Sequence, residues 1–588
     1  MLSVGVTGHR AEVLPDRGLP VLRERIRDIL LLIAEAGNAL YERERACFSD
    51  EKPHLRFVSP VADGADQIAA EVALELGWEL QVILPFGRQT YRRSLANHKA
   101  RAGFDALLER ASSVLELPGD RRRELDAYVM TGRATVAHCD MLIAVWDGLP
   151  PRGRGGTGEV VQIAITHGTA VIHIMPDLKA PTRVLWSAFD PTVLTVADDP
   201  GVERPLERPE IDAMLTGLLL PPPDEQELAF LKRFSHERLR AIRTRIEYPL
   251  LLTAAGVRRI KPGDIDNKRC AQAIRDEWER YRRGCAEAHD INAPIGLLEE
   301  AYSWADRLAT HFAQTYRSGH IFNFVLGSVA VCLGLSAFMA PHLKFTFAAV
   351  EMLITIAIIA NAQIGTKLEW HRRWLDYRQL AERLRPMRSL KLLGIAAPDP
   401  PGTATNPVPK RWIDWYAAGI WRAMGCPSGT IDRSRAAALA SAIADHEVAP
   451  QVDYHKRNAA LIDLLDERLE QIGTVLFGAT LLVSVATLIG LGFGSDFVNK
   501  YGNWFTLVSA GFPALGTAVF GIRFQGDFGG DALRSLATAD TLGQIDHELR
   551  QEVNLTRAAD LSEQAARIML ADLDEWRLVN QQRDLSVG

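Results

Sequence analysis

Cysteine is scarce and scattered: six residues in 588, with no Cys-x-x-Cys pair and no spacing suited to a metal. Disulfide frameworks and zinc sites are thereby excluded, and a reducing compartment is expected. Excess positive charge is lacking too. A formal net charge of −6 gives no global basic field, so nucleic acid is not an expected partner. The opening MLSVGVTGHR has no basic region followed by an apolar core, so no cleavable signal peptide is expected. Nothing is low in complexity beyond one Pro-rich loop, APDPPGTATNPVPK.

What the chain does have is four long apolar runs in its second half: Ile321 to Ala340, Phe345 to Gly365, Ile472 to Phe493 and Trp504 to Ile522. Each approaches the roughly 20 residues that a helix needs to cross about 30 Å of hydrocarbon. None shows the alternation of a barrel strand. Four spanning helices in two hairpins are therefore predicted. Lys and Arg crowd the segment after the second run, from Lys367 through Arg372, Arg373, Arg378, Arg383, Arg385, Arg388 and Lys391, whereas each short link holds one Lys. That asymmetry predicts outward links, with both chain ends in the cytoplasm of a plasma (inner) membrane protein.

Residues 1–200 alternate apolar runs (LSVGVTG, HLRFVSP, ELQVILPF, SSVLELPG, DMLIAVWDG, AVIHIMPD) with amphipathic stretches. This predicts an α/β, Rossmann-like domain with a parallel sheet covered on both faces. A linker and charged helical region occupy 201–295, a first membrane unit 296–400, and a second 401–588 with C-terminal helices. Charge-laced stretches such as RCAQAIRDEWERYRRGCAEA read as solvated bundle faces. The tryptophans Trp412, Trp415 and Trp421 suit bundle core first, an interfacial anchor second. A cytosolic helix, a hairpin and a second cytosolic helix occur twice.

Ligands of such sheets bind beyond the carboxyl ends of the strands. The first strand ends in Thr7-Gly8-His9-Arg10, where a glycine admits backbone amides to a phosphate and Arg10 adds a fork of donors. The second runs into Asp63-Gly64-Ala65-Asp66. Asp63 either caps the following helix or meets a ribose hydroxyl; Asp66 sits in the first turn, where a carboxylate is favoured. The fifth leads through Trp146-Asp147-Gly148 to Gly153-Arg154-Gly155-Gly156-Thr157-Gly158-Glu159. These glycines offer an anion nest; Thr157 caps a helix or bonds a phosphate, and Glu159 bonds a sugar or complements the helix dipole. Three Gly-bearing strand ends converging on one cleft make a nucleotide the economical ligand. No other cofactor and no metal is expected.

The set VGVTGHR, ADGAD, LPF, Cys139-Asp140, VWDG and GGTGE resembles the SLOG group, Rossmann-like relatives of the LOG enzymes, over roughly residues 1–180. LOG enzymes carry a catalytic acid in a Gly-Gly-x-Gly-Thr-x-x-Glu loop and cleave nucleotides at the glycosidic bond. In this chain Glu159 follows Thr157 by two residues rather than three. Ala301 to Ser318, Arg373 to Arg385 and Gln451 to Ala459 resemble the SLATT family of bacterial conflict systems. That resemblance covers roughly 295–560, and implies a pore-forming or membrane-disrupting antiviral effector whose SLOG domain senses a nucleotide.

Polar residues in the spans give a physical counterpart, since such groups face a bundle interior or a water-filled cavity. Glu351 suits pore lining and interfacial placement equally; for Asn361 tight helix packing leads, and Gln363 lies two residues on. Ala510, Ala514 and Ala518 form a small-residue face, and Pro513 is a candidate kink. Four helices enclose no wide path, so a homo-oligomer is expected. The leading expectation is a nucleotide-gated membrane effector. A membrane-anchored nucleotide hydrolase or glycosidase using Glu159, Arg10 or Asp147 is the alternative, with a transporter behind both.

Overall fold

A computed structural model describes residues 1–14, 18–149, 155–177, 179–185, 203–286, 291–399, 410–494, 496–551 and 553–580. Gly153-Arg154 and most of the Pro-rich loop fall outside the described residues.

All six expected strands form: β1 (Leu2–Gly8), β2 (Leu55–Ser59), β3 (Glu79–Leu84), β4 (Ser113–Glu116), β5 (Met141–Val145) and β6 (Ala170–Ile174). They pair in parallel in the order β6-β5-β1-β2-β3-β4. Every residue of β5 and β6 is buried, which is why β5 reads as an unbroken apolar run and β6 as one interrupted only by His173. The chain winds outward from β1 to β4, then returns to β5 on the other side of β1. That reversal puts the topological switch point between β1 and β5.

Three strands escape sequence pattern because they are only two or three residues long. β7 (Arg183–Leu185) and β8 (Glu203–Pro205) add antiparallel to the β6 edge. At the opposite edge β9 (Gly429–Thr430), from between the two hairpins, pairs in parallel with β4. The α/β core also runs past residue 200, since the helix Arg208–Leu219 buries Ile211, Met214 and Leu215 in it.

Four helices are long and apolar enough to cross a membrane. They are Gly296–Ser336, Lys344–Lys367, Ala449–Gly492 and Asp496–Gly526, where the first and third continue unbroken from the head into the spans. The first packs on the second and the fourth, and the fourth on the third. Glycine notches set these approaches: a Cβ on Gly521 would stand 2.3 Å from Phe324, and one on Gly516 would stand 2.7 Å from Phe477. Ala518 is buried in the same helix, whose backbone leaves helical geometry at Tyr501 rather than at Pro513.

The two membrane units end their hairpins alike. Glu369 and Asp527 hold left-handed backbones (φ 51° and 46°) without being glycine, and each starts a head-side helix, Trp370–Leu384 or Phe528–Leu549. Such φ values cost a non-glycine residue of order 1 kcal/mol, so the surroundings must impose the turn.

Beyond the exposed Lys367, the basic residues after the second span fold inward. Arg388 and Lys391 are each 1% exposed. Arg388 bonds Glu447 at 2.6 Å, and Arg378 bonds Glu382 at 2.6 Å and Asp306 at 3.3 Å. RCAQAIRDEWERYRRGCAEA likewise is no fully solvated helix: Ile274, Trp278 and Tyr281 pack into the bundle. All three tryptophans of the second unit donate hydrogen bonds inside the protein, Trp412 to Asp376, Trp415 to Leu219 and Trp421 to Ala137.

The amino ends of the strands are joined to these helices. Asp140, just before β5, accepts from Arg422 (2.7 Å) and from the Ser3 amide (2.8 Å). Arg56 of β2 donates to the Arg422 carbonyl (2.9 Å), and Gln81 of β3 accepts from the Cys426 amide (3.0 Å). Lys391 donates to the Gly425 carbonyl at 2.9 Å and lies 3.4 Å over the Trp421 ring.

Candidate functional site

The Gly-bearing loops gather at the carboxyl ends of β1, β2 and β5, across the switch point. The His9 amide donates to the Val145 carbonyl (3.0 Å), tying the β1 loop to the end of β5. The Ala11 amide donates to the Asp63 carbonyl (3.2 Å) and the Ala65 amide to the His9 carbonyl (3.3 Å), tying the same loop to the β2 loop. Two glycines permit this stitching. A Cβ on Gly8 would come 2.5 Å from Ala65, and Gly64 has φ 107° with its missing Cβ 2.5 Å from the Ala11 nitrogen.

Val61 is the strained residue of this cluster. It is β-branched, buried and held at φ 50°. A β-branched side chain in the left-handed region is a true outlier, and such strain concentrates at functional sites.

Asp63 and Asp66 are both buried, at 4% and 5% exposure. Asp63 does not cap the following helix: Gly64 is the N-cap and no side chain caps it. One carboxyl oxygen on each aspartate, Oδ1, has no hydrogen-bond partner. Burial pushes the Asp66 carboxyl up to about 8, opposed by a backbone hydrogen bond and by Arg10, and helped by Asp63. Two tyrosines that the sequence reading missed complete the cluster. Tyr91 is 1% exposed, with its hydroxyl driven upward by burial and then by Asp66. Tyr128 carries Arg10 over its ring at 5.0 Å.

Tyr128 also joins the third loop to the first. Gly155 holds φ 80°, and a Cβ there would meet the Leu125 carbonyl at 2.7 Å and Tyr128 at 3.2 Å. Glu159 turns back on its own loop, accepting the Gly155 amide at 2.6 Å. Thr157 is the first helical residue after the N-cap Gly156, and no side chain caps this helix, whose N-terminal dipole favours an anion; the Glu159 amide is spent on the Gly156 carbonyl at 3.0 Å.

The remaining predicted residues lie around this centre. Thr7 pairs with Ala144 in the sheet, and His9 stands 3.9 Å from Asp147. Asp147 accepts the Leu149 amide (3.2 Å), and Gly148 has φ 77°. Trp146 tilts against His173 at 5.2 Å, and its carbonyl accepts from the same imidazole at 2.8 Å. Among the described residues, no group of three or more His, Cys, Asp or Glu is placed to hold a metal.

In the spans, Asn361 is buried and donates to the Gly319 carbonyl (3.1 Å) and to Asn323 (2.8 Å), so it fastens the first hairpin. Glu351 is half-buried and faces Gly334 of the first span, whose missing Cβ would lie 3.4 Å from its carboxylate. Gln363 is exposed on the single chain.

Fold and site define a membrane protein with a Rossmann-like head. Residues 300–390 match a family model described as "Protein of unknown function (DUF4231)". That match spans the first hairpin and its flanking helices. No curated protein matches the chain.

Proposed function

We propose that this chain is a nucleotide-responsive membrane effector: its head binds a nucleotide-derived signal on the cytoplasmic side and rearranges an oligomeric transmembrane pore. The observation that carries this reading is the two-ended sheet. Backbone amides, Arg10 and two buried aspartates face one end, at the switch point where such sheets take ligands. The opposite end is joined through Asp140, Arg56 and Gln81 to the helix Trp412–Met424 and the turn after it, and that helix packs on Gly296–Ser336, which runs on into the first span. Phosphate meets the start of the helix at Gly156-Thr157 and Arg10, and the aspartates accept from sugar or base donors. Ligand binding then acts on the spans only through differential affinity for two states of the assembly. Both chain ends and the helical layer are cytoplasmic in this reading, and the resemblance to SLOG and SLATT proteins makes bacterial antiviral defence the setting.

The test is ion efflux from proteoliposomes containing the full chain, across a panel of mono-, di- and cyclic nucleotides. Efflux switched on by one of them in wild type and lost in Arg10→Ala is the expected result. Efflux indifferent to every nucleotide, from an oligomer shown to be folded, would sink the reading.

A second reading, a membrane-anchored nucleotide hydrolase or glycosidase, is favoured by Asp66. A carboxyl held protonated near neutral pH beside another carboxylate suits a general acid. Glu159, the acid implied by the LOG resemblance, is bonded to its own loop. Products lost in both Asp66→Asn and Glu159→Ala support hydrolysis; nucleotide bound and recovered intact supports the sensor.

A further inference from the structure

Where the first hairpin leaves the head, the structure holds a cavity of about 480 Å³ that belongs to neither the sheet nor the pore reading. Its upper wall comes from the segment ERLRAIRTRIEY, which brings Arg238, Arg240 and Arg245 to the lining together with His311 from the first long helix. No carboxylate lines it among the described residues. Its lower wall is Ala357, Ala360 and Ile364 of the second span. Trp370 stands at the boundary between the two, the depth at which tryptophan anchors at a membrane interface.

The charges here are under-compensated. Arg245 donates through Nη1 to Asn361 (2.9 Å) and lies 5.1 Å over Phe322 and 5.5 Å over Trp370, but its buried Nη2 has no acceptor. Glu247, 3.1 Å from the Arg245 Nε, is its single carboxylate partner among the described residues. Behind it Arg243 has a buried Nη2 without an acceptor, and His311 a buried Nδ1 without a partner. Burial pulls both Arg243 and Arg245 below the usual arginine range, and pulls His311 down to about 4, helped by Arg243 and Arg373. Positive charge desolvated in this way gains most from an anion.

The cavity is amphiphilic along the membrane normal: arginines at headgroup depth, small and branched apolar residues at acyl depth. A soluble anion has no use for the lower half. We propose that it binds the phosphate headgroup of an anionic phospholipid, with phosphate on Arg238, Arg240 and Arg245 and an acyl chain along Ala357, Ala360 and Ile364. Because Arg245 also holds Asn361, and Asn361 holds Gly319 and Asn323, the lipid acts on the link between the first two spans. The proposal stands independently of the nucleotide reading.

The full chain in nanodiscs of mixed phosphatidylglycerol and phosphatidylcholine, released for native mass spectrometry, provides the test. Retention of phosphatidylglycerol over phosphatidylcholine is expected. Arg238→Ser with Arg240→Ser, both exposed and so tolerated by the fold, should cut that preference about fivefold per arginine, since each basic side chain near an anionic surface contributes on that order. Arg245→Gln should lower it further, with the melting temperature in detergent reporting any loss of the Asn361 link. Equal retention of the two lipids, or a preference unchanged in the double variant, overturns the site. Displacement of the retained lipid by excess inorganic phosphate overturns the lipid source in favour of a soluble phosphate.

Discussion

The two ends of the sheet are built by opposite rules. At the carboxyl ends, loops are held to each other by backbone hydrogen bonds, with glycines where a Cβ would collide, and polar atoms on Asp63 and Asp66 are left without partners. At the amino ends nearly every polar group is spoken for: Asp140 by Arg422 and Ser3, Arg56 by Arg422 and Glu79, Gln81 by Cys426. The first arrangement keeps unmet hydrogen-bonding capacity in a preformed frame, as a ligand site requires. The second spends that capacity on joining two bodies.

Four experiments test this contrast. The largest effect is expected from Arg422→Ala at the joined end. It strips a mostly buried Asp140 of its cation, and breaking such a pair costs about 3 kcal/mol, read as a lower melting temperature in detergent. A variant that melts like wild type would show that the joint is not held there. Next is Gly64→Ala at the open end. The positive φ and the 2.5 Å approach to Ala11 predict a loss on the order of 2 kcal/mol, together with loss of nucleotide retention.

Third, the two ends should respond oppositely to pH. Burial pulls Lys391 down to about 7 from 10.5, so between those values the unfolded chain holds a proton that the folded one lacks. Stability contributed by this end therefore rises with pH, and Lys391→Met should flatten the rise. Asp66, at about 8 against 3.8, holds its proton only when folded across that window. Stability at this end falls as pH rises, and Asp66→Asn should remove the fall; melting curves from pH 5 to pH 9 separate the two. Parallel slopes would erase the contrast.

The smallest structural effect belongs to Arg10→Ala. Losing a cation–π contact to Tyr128 costs about 0.5–1 kcal/mol, whereas nucleotide binding, measured by calorimetry, should vanish. Unchanged binding would move the site away from the β1 loop.

Strands and spans were legible because each is a long apolar run whose length and period are fixed by what covers it. The glycine loops were legible for a related reason, since a glycine after a buried strand marks close backbone approach. Tyr91 and Tyr128 left no such mark: they sit in the helices Arg88–Ser94 and Glu124–Ala137, and only tertiary packing brings them to Arg10. The roles of Asp63 and Glu159 were ambiguous because capping and ligand contact use the same residue types in the same turn. The arginines after the second span showed in sequence only as an excess of positive charge, because their acidic partners, Asp306, Glu277 and Glu447, come from distant parts of the chain.

The helix Ala449–Gly492 is a single 44-residue rod. At 1.5 Å per residue it is about 66 Å long, so a tilt of about 5° around its midpoint swings each tip by roughly 3 Å. Rearrangements of 1–2 Å between packed helices are enough to separate functional states in other proteins. A small rocking at the head is therefore carried undiminished to the far end of the rod.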